Sequence, residues 1–278
     1  YRDYKGYFLL NHIVRKQFMF YATGLSVLGI SMDNIKKIVV SLPLIKEQQK
    51  IAEILSTWDE AIDLKEKLIE EKQEQKKGLM QNLLTGKVRL PGFEGEWGEV
   101  KLGNVGKFLR GSTLSKNDIT KDGKPCILYG ELFTTYNEII DEVYSKTNIV
   151  SDNLVYGREN DLLFPSSTTV DALSLITPSS LKINKVIIGG DINIFRANEE
   201  NVSSDFLSYY INGPGKNNIA KFAQGITIIH IYNDHLKDVK VPLPSIAEQK
   251  AIADVLSTAD REIEPLKEEV ELLKEQKK

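Results

Sequence analysis

Between Lys46 and Leu84 apolar side chains return about every 3.5 positions: Ile51, Leu55, Trp58 and Ile62, then Leu68 or Ile69, then Leu79 and Leu83. No proline lies in that stretch, and glycine occurs only at 78. Pro43 precedes it and Gly86 follows its last apolar pair, as expected just outside the two ends of a helix. The pattern predicts one helix over 46–87, roughly 58 Å long, its apolar seam interrupted by Lys65 and Lys72. The same rhythm returns at Ile252, Leu256, Ala259, Ile263, Leu266, Val270 and Leu273 and predicts a second helix over 246–278. Pro265 lies inside that helix and is expected to kink or interrupt it.

The two stretches are copies. Residues 22–77 laid over 223–278 without a gap are identical at about 23 positions, far above chance for unrelated segments. The match is densest from Leu42-Pro43 to Trp58-Asp59 and from Leu243-Pro244 to Ala259-Asp260, and it fades upstream, where Phe8-Leu9-Leu10-Asn11 echoes Tyr209-Tyr210-Ile211-Asn212. The repeating unit is a variable part followed by a shared tail. The chain holds the end of one unit and nearly all of a second, and is expected to be a fragment of a longer two-unit protein. Each stripe has its natural partner in the other, and the globular segment between them allows an antiparallel pair. Ile51, Leu55, Trp58 and Ile62 are expected to form the helix–helix or subunit interface with Ile252, Leu256, Ala259 and Ile263. Trp58 opposite Ala259 would set large against small.

Residues 88–245 read differently. Short β-branched or aromatic runs alternate with turn residues at 126–129, 161–164, 185–188 and 191–195. Residues 205–211 read as a short helix capped by Ser203 or Ser204. Regular β/α alternation is absent, so an α+β fold with a twisted, mostly antiparallel sheet is expected. The parts are then 1–45, the end of a first domain; 46–87, a long helix; 88–245, a mixed domain; and 246–278, a second long helix.

Composition narrows the function. Of 278 residues, 41% are hydrophobic and 27% charged, enough apolar matter for a core. No apolar run approaches bilayer length, so no membrane partner is expected. One cysteine, Cys126, excludes an internal disulfide framework and a Cys-rich zinc site, and points to a reducing, cytoplasmic setting. The net charge of −3 argues at first against a nucleic-acid binder.

Enzyme motifs are missing. Gly103-Asn104-Val105-Gly106-Lys107 lacks phosphate-loop spacing, and there is no dinucleotide fingerprint, nucleophile elbow or Asn/Asp-Pro-Pro-Tyr/Phe run. The Glu-x-Lys triplets at 99–101 and 248–250 have no acidic partner that would make a nuclease site. His230, Asp234 and His235 are candidate metal ligands, but the first copy holds Gly29, Asp33 and Asn34, so only the aspartate recurs. That aspartate is expected to be a helix N-cap, and no metal site is expected.

Binding remains, once charge is divided by segment. The stretch 101–124 carries Lys101, Lys107, Arg110, Lys116, Lys121 and Lys124 against Asp118 and Asp122. The tail helices hold much of the acid, with eight Lys against nine Asp/Glu over 46–87 and six basic against nine acidic residues over 247–278. Arg110-Gly111-Ser112-Thr113-Leu114-Ser115-Lys116 combines cations, hydroxyls and a glycine, a set suited to phosphate contacts. Ser166-Ser167-Thr168-Thr169, Lys216-Asn217-Asn218 and Gln224-Gly225-Ile226-Thr227 offer groups that read base edges. Each loop alone is better explained as a turn.

The doubled Leu-Pro-x-Ile-x-Glu-Gln-x-x-Ile-Ala-x-x-Leu-Ser-Thr-x-Asp motif, at 42–59 and 243–260, resembles the conserved regions of the specificity (S) subunit of Type I restriction–modification systems. Leu83-Leu84-Thr85-Gly86-Lys87, Trp97 and Val100-Lys101-Leu102-Gly103 resemble that family's passage into its second target-recognition domain. Gly111-Ser112-Thr113 and Asp161-Leu162-Leu163-Phe164-Pro165-Ser166 resemble recurrent stretches of such domains. The resemblance implies two target-recognition domains, each reading half of a bipartite site in double-stranded DNA. It also implies two antiparallel helices, a coiled-coil spacer that separates them and docks methyltransferase subunits. The subunit itself performs no chemistry; S-adenosylmethionine, ATP and Mg belong to methyltransferase and restriction subunits.

On that basis Arg110, Lys116, Lys121 and Lys124 are expected to hold phosphates. Ser112, Thr113, Tyr129 and Ser166–Thr169 would approach base edges, with Lys216, Asn217, Asn218, Gln224 and Thr227 completing the face. The first recognition domain is nearly absent, so one half-site, or a whole site built with a second copy of the chain, is expected. A coiled-coil protein scaffold and an undetected hydrolase are the alternatives.

Overall fold

The computed structural model describes residues 1–277. The helices are α1 Tyr4–Leu10, α2 His12–Tyr21, α3 Met32–Ile35, α4 Ile45–Leu83, α5 Leu102–Val105, α6 Glu131–Thr134, α7 Ala172–Leu175, α8 Ser204–Asn212, α9 Lys216–Ala220, α10 Asn233–Lys237 and α11 Ile246–Lys277. The strands are β1 Gly98–Lys101, β2 Gly106–Arg110, β3 Ile119–Thr120, β4 Lys124–Ile127, β5 Ile139–Ile140, β6 Lys146–Thr147, β7 Tyr156–Gly157, β8 Asp161–Pro165, β9 Ser167–Thr168, β10 Ser179–Leu181, β11 Val186–Ile188, β12 Ile192–Ala197, β13 Ile229–His230 and β14 Lys240–Leu243. The chain divides into two compact units, Tyr1–Glu71 with α11 from Ile263 onward, and Lys72–Glu262. The division cuts both long helices.

The motif that begins each long helix acts as its cap. Gln48 donates from Nε2 to the Pro43 carbonyl at 2.8 Å, and Gln249 does the same to Pro244 at 2.9 Å. In each copy the proline starts the helix and the glutamine five residues on satisfies its orphan carbonyl. Farther along each helix Thr57 bonds back to the Glu53 carbonyl and Thr258 to that of Asp254. The first helix ends at Leu83, short of the expected 87, because Leu83 and Leu84 are buried in the core of the second unit. Gly86 follows at φ +67, the left-handed turn expected of it. The second helix runs from Ile246 to Lys277 with Pro265 inside it, so the proline does not interrupt it. The proline lies on the exposed side of the helix.

In each unit the helices pair antiparallel. Lys65 bonds Glu269 and Glu66 bonds Lys274 in the first; Lys72 reaches Glu262 at 2.7 Å in the second. Ile62 and Ile263 are buried, as expected of a seam. Trp58 does not face Ala259. Ala259 lies beside Lys72, Gln75, Lys76 and Leu79, because antiparallel pairing reverses the order and repeat equivalents cannot oppose each other away from the midpoint. Ile252 and Leu256 are also placed differently: they join the core of the second unit with Phe206 and Tyr209 rather than a helix seam. Their equivalents Ile51 and Leu55 line a hollow under α1 and α2, where Ile51 is 37% exposed while Ile252 is 1% exposed.

The second unit is built on two five-stranded sheets, ordered β2-β12-β8-β10-β5 and β3-β6-β4-β11-β7. Pairing is mostly antiparallel; β10–β5 and β11–β4 are parallel. The strand β8 is buried along its whole length, which is why it reads as a continuous apolar run rather than an alternating one. Ser203 caps α8 by accepting from Phe206 N–H. Asp33 and Asp234 are not caps: both sit in the first turn of their helices and pair with Lys36 and Lys237. Among the described residues no helix is long and apolar enough to cross a membrane.

Candidate nucleic-acid interface

Three segments meet where β2, β8 and β12 end or begin. Arg110 closes β2 opposite Asn193, and its guanidinium donates to Asp191 Oδ1 at 2.9 Å. The Asp191 carbonyl accepts Ser166 N–H at 2.8 Å, and Gly111 N–H bonds the Ile192 carbonyl. A Cβ on Gly111 would lie 1.8 Å from the Gly189 carbonyl oxygen, so only glycine allows this closure. The Arg110–Asp191 pair is more than half exposed on both sides, so a phosphate could take the guanidinium at little cost.

Beyond this junction β9 pairs with β13, Thr168 opposite Ile229 and Ser167 opposite His230. Ile231 N–H completes the attachment by bonding the Ser166 carbonyl at 2.9 Å. The 224–230 segment folds back on itself: Gln224 and His230 exchange backbone bonds of 2.8 and 2.7 Å around Gly225 at φ +132. Thr227 and Gln224 are exposed on this turn. The fold therefore joins two of the expected reading loops, 166–169 and 224–227. A third joins through α7, which packs against β9, β13 and α9. Asp171 caps α7, and its carboxyl is held below the usual range first by Ser174 N–H, with the charge of Lys216 a smaller cause. Asn217 and Asn218 are exposed on α9.

Other expected residues fall elsewhere. Ser112 is 8% exposed, with N–H and Oγ both donating to the Ile188 carbonyl, so it is a structural tie and not a base-reading group. Its neighbour Thr113 is exposed. Ser166 is buried as well and serves through its backbone. Tyr129, 43% exposed, follows β4 just past Ile127, whose carbonyl accepts Gly189 N–H beside the junction. Lys116 is exposed two residues after Leu114, which packs on Cys126 and Ile187. Lys121 and Lys124 stand at the other end of β4, roughly 10 Å along the strand from Ile127. They belong to a flank rather than to the junction.

The structure gives the histidines, considered above only as metal ligands, a different setting. His230 stacks on Tyr232 at 5.7 Å, and His235 meets the same ring edge-on at 5.5 Å. Asn193 Nδ2 bonds the Ile231 carbonyl at 2.8 Å and Asn233 Nδ2 the Leu109 carbonyl at 3.1 Å, tying this aromatic row to β12 and β2. Asn233 Oδ1 and His235 Nδ1 are buried without a hydrogen-bond partner. Comparing the copies had set the histidines aside because they do not recur. Among the described residues no group of three or more His, Cys, Asp or Glu is placed to hold a metal ion.

Comparison with known proteins bears on the same residues. The model of the Type I restriction modification DNA specificity domain matches residues 2–72 and 94–274. A protein named as the type I restriction enzyme MjaX specificity subunit of Methanocaldococcus jannaschii is 28% identical, over 98% of this chain and 64% of its own length. The MjaVIII specificity subunit of the same organism is 26% identical, over 88% of this chain and 60% of its own. The chain thus spans less than two thirds of these relatives. Two solved structures share the fold over 99% of the chain. The S subunit of a Type I system from M. genitalium has a TM-score of 0.64 at 16% identity, covering 70% of that chain. A structure from work on assembly and conformational transition of the type I system has a TM-score of 0.60 at 18% identity, covering 68%.

Proposed function

Because the chain belongs to the Type I restriction modification DNA specificity family, we propose that it supplies DNA-sequence recognition to a Type I restriction–modification complex. The second unit reads one half of a bipartite site in double-stranded DNA. Its junction of Arg110, Asp191 and Ser166, with the 167–169, 224–227 and 230–235 segments around it, is the reading face. Arg110, Lys116 and the Lys121–Lys124 flank hold phosphates, while Thr113, Thr168, Thr169, Gln224 and Thr227 approach base edges. The exposed sides of α4 and α11, rich in acid, meet methyltransferase subunits. Methyl transfer, which draws on S-adenosylmethionine, and ATP- and Mg-dependent cleavage belong to those and to restriction subunits, and this chain acts without chemistry of its own.

The observation that carries this reading is the family match over 2–72 and 94–274, which takes in most of both long helices and the domain between them, joined to a face that gathers three polar loops. Co-purification with a methyltransferase subunit, followed by mapping of methylated adenines, tests it. One recurrent half-site sequence that changes when 166–169 and 224–227 are exchanged is the expected result. Methylation without sequence preference, or no association with the methyltransferase, would overturn it.

A further inference from the structure

Lys76 on α4 is only 14% exposed in its side chain, yet it meets two carboxylates, Asp260 of α11 at 2.6 Å and Glu138 before β5 at 3.3 Å. Its ammonium also lies 5.2 Å from the centre of the Tyr209 ring. The Tyr209 hydroxyl, on α8, donates to the other oxygen of Asp260 at 2.6 Å. Burial and then the Asp260 charge push the Tyr209 hydroxyl far above its ordinary range, so it remains a donor at every working pH. One cluster thus joins both long helices and the recognition domain inside a single unit.

The first unit contains a cluster of the same three residue types. Tyr7 of α1 donates to Asp59 of α4 at 2.7 Å, Lys277 of α11 bonds the same carboxylate, and its ammonium lies 5.6 Å from the Tyr7 ring. Asp59 and Asp260 are repeat equivalents, as are Lys76 and Lys277. The other helix–helix ion pairs are not duplicated. The equivalents of Lys65 and Glu269 are Leu266 and Leu68, and those of Lys72 and Glu262 are Leu273 and Ala61. The repeat lets the seam pairs vary while keeping Asp and Lys together, and in each unit a tyrosine reaches that aspartate from a neighbouring but not equivalent position, since Phe8 is the counterpart of Tyr209 and Ser208 that of Tyr7. Withdrawing a lysine from water and fixing its long side chain costs free energy that a surface pair does not repay. A shared demand on both units accounts for that expense, and reading sequence is not shared, because each unit reads its own half.

We propose that Lys76, Asp260 and Tyr209 are positioning residues, a joint that fixes the recognition domain on its two helices and thereby sets the spacer length the complex accepts between half-sites. The inference rests on the proposed reading of a bipartite site. A domain held by one joint has one stance relative to the helices that carry it. Removing one hydrogen bond to a charged group frees about a tenfold larger population of other stances. Half-site sequence, set by the distant loops, stays the same.

The test is methylation by the assembled complex, with both recognition domains supplied, on DNA libraries in which the spacer is shortened or lengthened by one base pair. Tyr209→Phe removes a single hydroxyl and keeps the ring in the core; Lys76→Met removes the charge, and Lys76→Arg keeps it. Tyr209→Phe and Lys76→Met are expected to raise methylation at off-length spacers about tenfold relative to the preferred length. Lys76→Arg should hold near wild type, and the half-site sequence should not change in any variant. An unchanged spacer profile in Tyr209→Phe, whose fold is checked by circular dichroism, overturns the inference even where Lys76→Met fails to assemble. A wild-type complex that methylates with no bipartite preference overturns the proposed reading, and the joint with it.

Discussion

Asp161 opens β8 with 1% of its surface exposed and takes the guanidinium of Arg196 in a fork, Nε to Oδ1 at 2.9 Å and Nη2 to Oδ2 at 2.8 Å. The same carboxylate accepts Arg158 N–H at 2.9 Å, and Arg196 also donates to the Tyr156 carbonyl. The two residues face each other across the β8–β12 pairing, so the fork locks the register of the central strands. Held this way, Arg196 keeps its charge more firmly than a free arginine, chiefly through its bond to Asp161.

Asp161→Ala leaves Arg196 half-buried without its partner. Breaking one side of a buried pair costs about 3–5 kcal/mol, which urea unfolding should show as a large fall in midpoint. A cost below about 1 kcal/mol would mean the pair behaves as a surface salt bridge.

Ser112 and Thr113 are adjacent and should separate cleanly. Ser112→Ala removes the bond to Ile188 and is expected to lower stability by about 1 kcal/mol without altering the methylated sequence. Thr113→Val should leave stability intact and change DNA affinity. A shift in target sequence for Ser112→Ala would return that residue to the reading face.

Phosphate contacts show in the salt dependence. Arg110→Gln and Lys116→Gln should each lower the slope of log affinity against log salt by about 0.9, measured on the assembled complex with target and non-target DNA alike. An unchanged slope removes that residue from the backbone contact.

Cys126 is fully buried, and burial, with a smaller push from Glu131, raises its thiol to about 11. The native chain should resist a thiol-alkylating reagent at pH 8 and react promptly in urea. Fast labelling of folded chain would place Cys126 at an opening of the core.

Acid should loosen two turns before the sheets. Ser115 N–H and then its hydroxyl hold the Asp118 carboxyl below its usual range, and Ser174 does the same for Asp171. A depressed folded value means the contribution is present above the ordinary carboxylate range and is lost as pH falls through that lower value. Amide protection at Ser115 and Ser174 should persist through the ordinary carboxylate range and drop only below it, while β12 amides keep theirs. Equal loss in all of them would indicate global acid unfolding instead.

The sequence by itself determined what is local or repeated: two long helices, the Gly86 turn after the first, the four runs that fold as β4, β8, β11 and β12, and the doubled motif that points to the family. Gln48 and Gln249 lie five residues after a proline, and that spacing alone brings their amides to the proline carbonyls. Only the tertiary structure decided partners between distant segments. Periodicity marked Ile252 and Leu256 as apolar but could not say whether a helix or a sheet would cover them. Equivalence suggested Trp58 against Ala259, and antiparallel pairing placed Lys76 near Ala259 instead. Composition made Ser112 look free until the Ile188 carbonyl claimed it, and it offered His230 and His235 only as metal ligands until folding placed both against Tyr232. A stripe records that a side chain leaves water; which surface receives it depends on contacts far apart in the chain, and those are set only when the whole unit closes.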